Sequence, residues 1–216
     1  MIESETARVV IDTGPDFRQQ MLRESVPRMD GIVFTHPHKD HIAGMDDIRS
    51  FNFRQREDMD VYANALTQKA LKREFYYVFE AVKYPGVPAV ELHEIDDDTP
   101  FEVAGIPFLP IPVMHHKMPV LGFRIGNLAY VTDANFISEK SMARLQGLDV
   151  LILNALRRKK HLSHFNVEEA LEIVDQLRPK QTWFTHISHL LGHHADVDPT
   201  LPDHVSLAYD GLQVQF

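Results

Sequence analysis

The segment Thr35-His36-Pro37-His38-Lys39-Asp40-His41 places three imidazoles and one carboxylate within six residues. Such side chains are poor packing material, because each needs a partner when buried. They are good donors for divalent transition metals, which imidazole and carboxylate both bind. His36 and His38 lie two apart, so an extended backbone points both the same way and lets them grip one ion. Asp40 and His41 follow the turn and can address a neighbouring ion, the arrangement of two-metal hydrolases. A histidine alone on a strand is an ordinary core or surface residue. The pattern H-x-H-x-D-H between a strand and a helix is what points to chemistry.

The chain carries 13 histidines, and they cluster. His115 and His116 stand together, then His161 and His164, then His186, His189, His193 and His194, while His93 and His204 stand apart. The recurring layout is a strand followed by a donor-bearing turn. The buried-type run Gly31–Phe34 feeds the first cluster. Pro107–Met114 leads to His115 and His116, and Leu128–Val131 leads to Asp133. Asp149–Leu153 leads toward His161 and His164, and Gln181–Thr185 to His186 and His189. If these ends share one edge, the donors converge where loops collect function.

The remaining elements read as follows. Ala7–Asp12 is a strand ending on an acid, and Thr13-Gly14-Pro15 is a turn. Helices are expected over Phe17–Ser25, Gly44–Arg56, Leu66–Val82 (the longest), Ser138–Gln146 and Asn166–Leu177. Ser138 and Asn166 act as caps, and Glu169 completes a capping-box pattern. Short strands are expected over Asp60–Ala63, Ala89–Ile95, Phe101–Val103, Val120–Ile125, Val205–Ala208 and Leu212–Val214. The stretch from Val87 to Val131 has antiparallel texture. Phe75, Tyr76, Tyr77 and Phe79 serve either as helix core or as pocket lining. There is no internal repeat or linker, so residues 1–216 read as a single mixed α/β domain.

Composition narrows the function. With 216 residues, 44% hydrophobic and 25% charged, the chain is globular in class. No apolar run reaches the roughly 18 to 20 residues needed to span a bilayer. The acidic start lacks a signal-peptide pattern, so a cytoplasmic location is expected and no membrane partner. Cysteine is absent, so any metal is held by nitrogen and oxygen ligands. A net charge of −9 disfavours a dedicated nucleic-acid binding surface. The basic stretch Arg157-Arg158-Lys159-Lys160-His161 is either a solvated loop or an anion-attracting rim.

On these residues the chain resembles the metallo-β-lactamase superfamily, whose H-x-H-x-D-H motif matches His36, His38, Asp40 and His41. Asp12 in V-V-I-D-T-G looks like the family's buried aspartate, and His116 before Gly122 like its third histidine. Asp133 in V-T-D-A looks like the bridging aspartate, and His186 in F-T-H-I-S-H like the last histidine. The most similar subgroup is the PhnP-type cyclic phosphodiesterases. The shared stretches are I-D-T-G-P-D-F-R, T-H-I-S-H, His164 ahead of a helix, and the closing Y-D-G-L.

The resemblance implies an αββα sandwich and two divalent ions, Zn²⁺ or Mn²⁺. One ion would take His36, His38 and His116, the other Asp40, His41 and His186, with Asp133 bridging. His164 would contact substrate phosphate or protonate the leaving oxygen, which makes it, with Asp40, a catalytic candidate. Its bland reading is a surface histidine beside a helix cap. His189 would orient the last ligand or touch substrate. His115 is expected to be a neighbour that points away, and His193 and His194 to be solvent-exposed. The activity implied is hydrolysis of a small cyclic or nucleotide-like phosphate ester by an activated water between two ions.

The family's opening strand with its Gly-rich turn, and the cysteine-rich segment of PhnP-like enzymes, have no counterpart here. Either the start was lost or mis-assigned, or the protein manages with fewer strands. The expected sandwich therefore lacks its first strand, leaving a sheet edge open to pairing into a homodimer. Rival readings within the fold are an RNase Z-like endoribonuclease, a thioesterase and a β-lactamase. A non-enzyme rival is a metal-binding interaction domain.

Overall fold

The computed structural model describes residues 1–216. The chain falls into two compact units, Met1–Pro107 and Phe108–Phe216. Each has its own sheet and core.

In the first unit the elements are β1 (Ile2–Glu3), β2 (Arg8–Ile11), α1 (Phe17–Arg23), β3 (Gly31–Val33), α2 (Lys39–Ile42), α3 (Arg49–Gln55), β4 (Met59–Ala63), α4 (Ala65–Glu74), β5 (Val90–Glu94) and β6 (Phe101–Val103). The five-stranded sheet runs β1-β2-β3-β4-β5. Only β1 is antiparallel to its neighbour, with Ile2 opposite Val9; β2 through β5 are parallel. The two-residue β1 lies ahead of the point where the sequence first reads as strand. Parallel strands covered on both faces are near-continuously apolar, and every residue of β3 is buried. Ile32, Phe34, Met45, Val61 and Leu71 anchor this core at 0% exposure. Each such side chain contributes roughly 1.5–3 kcal/mol by leaving water.

Two helices differ from expectation. Gly44–Arg56 is not one helix: a 3₁₀ segment, Ala43–Ile48, precedes α3. The segment expected as the longest helix stops at Glu74, because Phe75 leaves helical geometry at φ −117° and ψ 42°. A 3₁₀ turn, Tyr76–Val78, follows and buries Val78. Aromatic side chains lose rotamer freedom inside a helix, so this run gains by breaking out of it. Asn64 caps α4, its side chain accepting from the Thr67 amide.

The second unit takes up β7 (Ile106–His115), β8 (Met118–Ile125), β9 (Leu128–Val131), β10 (Phe136–Ile137), α5 (Glu139–Arg144), β11 (Val150–Asn154), α6 (Val167–Leu177), β12 (Gln181–Thr185), α7 (His194–Val197) and β13 (Val205–Leu207). The sheet order is β10-β7-β8-β9-β11-β12-β13, with β6 pairing on β7. The β7–β8–β9 meander is antiparallel, as the sequence suggests; β9, β11, β12 and β13 are parallel. Helix α6 begins on the full capping box of Asn166 and Glu169. Ile111, Val120, Leu151 and Phe184 centre this core at 0% exposure. Leu212–Val214 forms no strand: it has no partner strand to pair with. Together the elements form a mixed α/β fold of the metallo-β-lactamase type.

Candidate functional site

In the first unit the donors sit where β2 and β3 end side by side. The Asp12 amide donates to the Val33 carbonyl, so Asp12 lies beside the start of the histidine loop. Thr13 N–H donates to the His41 carbonyl and Gly44 N–H to the Thr13 carbonyl. This close approach needs glycine. A Cβ on Gly14 would lie 2.7 Å from the Asp40 carbonyl oxygen, and one on Gly44 2.4 Å from that of Gly14.

Asp12 fixes the orientation of two histidines. Its Oδ2 accepts from His41 Nδ1 at 2.7 Å and from the Thr35 hydroxyl at 2.7 Å; its Oδ1 accepts from the Thr35 amide at 2.8 Å. A carboxylate only accepts, so the single Thr35 hydroxyl proton is committed to it. His36 Nδ1, 2.9 Å from that hydroxyl oxygen, must therefore donate. Both rings are left with their Nε2 lone pairs free of protons, the form a metal requires.

His36 Nε2 lies 3.2 Å from His38 Nδ1. Two ligands on a tetrahedral ion with bonds of about 2.0–2.1 Å are roughly 3.3 Å apart, so the pair fits such an ion. His41 Nε2 and Asp40 Oδ2 form a second pair 3.5 Å apart. Asp40 and His38 are exposed, and His36 and His41 are buried.

In the second unit β7, β9 and β12 run in the same direction and end at His115, Asp133 and His186. Asp133 is 2% exposed. Its Oδ1 accepts from the Thr132 hydroxyl at 2.6 Å and lies 3.4 Å from His186 Nδ1. Its Oδ2 lies 3.3 Å from His164 Nε2. The His164 ring stacks on His186 at 4.8 Å between centroids. The ligand atoms of His115, Asp133 and His164 all lie within 4.8 Å of one another. Buried Asn154 (0% exposed) holds the loop, its amide bonding both the N–H (2.7 Å) and the carbonyl (3.0 Å) of Ala134.

Four of the eight non-glycine residues with positive φ belong here: Asp12 (61°), His116 (55°), Asp133 (58°) and His186 (54°). Such conformations cost of order 1 kcal/mol or more each and concentrate at functional sites.

The adjacent His115 and His116 sit in different surroundings. His115 Nδ1 lies 2.9 Å from both the Asp133 and the Ser163 carbonyls, so it donates and its Nε2 carries the lone pair. Burial, and after it the neighbouring His164, lower its pKa and keep the ring neutral. His116 is exposed and starts the hairpin turn, its backbone N–H donating to Asn135 Oδ1 at 2.7 Å.

His189 is exposed just after β12, outside these donor groups. His193 and His194 are exposed as expected. Thr35 and Asn154 carry weight the sequence did not reveal. A threonine beside a ligand and an asparagine at a strand end are too common to signal a role.

Residues 7–187 match the family model described as beta-lactamase superfamily domain. The crystal structure of a diphosphatase from the PhnP family superposes with a TM-score of 0.91 at 39% identity, covering 99% of this chain and 82% of that one. A Porphyromonas gingivalis protein named octanoyltransferase is 35% identical over 207 residues, 95% of this chain. A ribonuclease Z of Bradyrhizobium diazoefficiens is 28% identical over 127 residues, 57% of this chain. The chain spans 42% of the length of each of these two curated relatives.

Proposed function

The chain belongs to the beta-lactamase superfamily, and from that premise we propose that it is a metal-dependent phosphodiesterase acting on small cyclic or nucleotide-like phosphate esters. The coarser statement, a hydrolase of the metallo-β-lactamase fold, rests on the family match and the 39%-identical diphosphatase. The observation that carries the finer one is His164. Its Nε2 is held 3.3 Å from Asp133 and its ring is stacked on His186, among the donors, although the resemblance leaves it out of the ligand set.

In this reading His36, His38, Asp40, His41, His116, Asp133 and His186 would hold divalent ions, Zn²⁺ or Mn²⁺. Such ions supply Lewis acidity toward phosphate oxygens and make a coordinated water more acidic. The chain's own residues do the rest. Asp12, directly and through Thr35, keeps the protons of His41 and His36 on Nδ1. Asp40, with a side chain 57% exposed, accepts a hydrogen bond from the attacking water. His164 offers a proton to the leaving oxygen as the P–O bond breaks. A second reading, an RNase Z-like endoribonuclease, is favoured by the 28% identity to that enzyme, with Arg157–His161 as its phosphate contact.

The test is to load the protein with Mn²⁺ or Zn²⁺ and assay bis-p-nitrophenyl phosphate, cyclic phosphate esters and a precursor tRNA. Turnover of the small esters supports the first reading, and cleavage of the RNA alone supports the second. No turnover of any of them by folded, loaded protein refutes both.

A further inference from the structure

His93 stands apart from the histidine clusters in the sequence, yet the fold gives it acidic company. It lies on β5, the last strand of the first unit's sheet, whose only neighbour in that sheet is β4. The parallel register sets Asp60 beside Glu91 and Tyr62 beside His93. Side chains alternate along a strand, so these four share one face. The other face carries Met59, Val61 and Ala63 with Val90 and Leu92, and it is committed to the core that holds Phe51 and Leu71.

The group has the make-up of a ligand set. His93 Nε2 lies 2.7 Å from Asp60 Oδ1. The donor atoms of Asp60, Glu91 and His93 all lie within 4.8 Å of one another. The His93 ring is also held in place. It stacks on Tyr62 at 4.6 Å between centroids, and Tyr62 stacks in turn on Phe101 at 5.7 Å. This three-ring stack sets the plane of the imidazole while Nε2 faces the acid. A third carboxylate, Glu102 on β6, lies with Asp60 and Glu91 within electrostatic reach of the Tyr62 hydroxyl. Negative charge thus gathers around one oriented imidazole.

We propose that Asp60, Glu91 and His93 form a further cation site, separate from the donors at the ends of β2 and β3, which takes a divalent transition ion such as Zn²⁺ and clamps the edge strand β5 to β4. One imidazole and two carboxylates suit zinc, with water completing the shell. The imidazole discriminates against Mg²⁺ and Ca²⁺, which prefer oxygen ligands throughout. Ligands on a tetrahedral ion with bonds of about 2.0–2.1 Å are roughly 3.3 Å apart, so the His93–Asp60 pair opens by about half an ångström and Glu91 swings inward. Both acids have room to do so: the Asp60 side chain is 45% exposed, and Glu91 is exposed.

The ion changes what the group does. A surface pair of histidine and aspartate alone contributes little to holding two strands together. An ion bound by one residue of β4 and two of β5 must be released before β5 can leave the sheet. Edge strands are where a sheet opens or pairs wrongly, so a clamp there protects the first unit. The inference is independent of the phosphodiesterase reading, because it involves no reaction.

Equilibrium dialysis of the full chain against Zn²⁺, with excess Mg²⁺ present, tests it by counting bound ions. The wild type should hold one zinc more than His93→Ala or Glu91→Gln. The second variant keeps the size of residue 91 and the ring stack, so it separates ligation from packing. Hydrogen exchange of Val90–Glu94 in the same samples reads the clamp. At free zinc about ten times the dissociation constant, opening of β5 in the wild type should fall about tenfold, with no such slowing in either variant.

Equal zinc content in the wild type and both variants overturns the proposal. Displacement of the additional ion by Mg²⁺ also overturns it, since that marks only a diffuse field of acids. Unchanged exchange of β5 in the zinc-loaded wild type refutes the clamp. If the donors at the ends of β2 and β3 hold no metal, the proposed function falls, while the difference between wild type and variants still decides this site.

Discussion

Replacing Asp12 by Asn tests whether one carboxylate sets the metal-binding form of two histidines. The side chain is 9% exposed and accepts three hydrogen bonds, from His41 Nδ1, the Thr35 hydroxyl and the Thr35 amide. Asparagine keeps one accepting oxygen and substitutes an NH₂ for the other. With its oxygen on the Thr35 amide, the NH₂ confronts the His41 N–H and the Thr35 O–H, donor against donor. Relief requires His41 to move its proton to Nε2, the atom a metal needs. The bond lost is charge-assisted and contributes roughly 1.5–3 kcal/mol. At about 1.4 kcal/mol per decade, that is a 10- to 100-fold weakening, the usual size of such supporting contacts to metal ligands. Competition titration against a zinc chelator measures it, with circular dichroism as the control for folding. Thr35→Val should weaken binding less, since it removes a bond between neutral groups worth about 1 kcal/mol. If folded Asp12→Asn binds zinc within about twofold of the wild type, the carboxylate does not govern the ring, and the argument for His36 and His41 fails with it.

Further outcomes follow from the same geometry. His116→Ala should lower metal affinity about tenfold or more, while His115→Ala, which removes a ring held by the Asp133 and Ser163 carbonyls, changes it less, as read by metal content after dialysis. The opposite ranking would make His115 the ligand. Asn154→Ala orphans the buried N–H and carbonyl of Ala134, so the unfolding free energy should fall by roughly 2–5 kcal/mol in guanidinium titrations. A loss below about 1 kcal/mol would mean that water replaces the amide. Burial, and after it the hydrogen bond from its hydroxyl to Asp46 at 2.6 Å, push the Tyr77 pKa up to about 12 from 10.0. A raised folded-state pKa means a contribution intact below pH 10 and lost as pH rises toward 12. Tyr77→Phe should therefore lose less stability than the wild type across that window, and a parallel decline in both proteins would contradict it.

How much of this was legible beforehand can be judged residue by residue. The order of strands and donor-bearing turns was readable because a buried parallel strand must be apolar, and His36, His38, Asp40 and His41 break that rule together at the end of one. Local chemistry also located the capping box at Asn166 and the cap at Ser138, since each is closed within a single turn of helix. The helix end at Glu74 and the 3₁₀ run before α3 were not readable. Both depend on which side chains the core accepts, not on the spacing of apolar residues.

The sequence by itself determined which donors exist, that none is a thiol, and that they stand at the ends of strands, because composition and short-range periodicity act along the chain. The tertiary structure decided which atoms of those donors are usable. The protons of His36 and His41 were placed by an aspartate more than twenty residues away in sequence, and that of His115 by the carbonyls of Asp133 and Ser163. A histidine's useful nitrogen is fixed by whatever faces the other nitrogen, and what faces it is known only once the chain has folded.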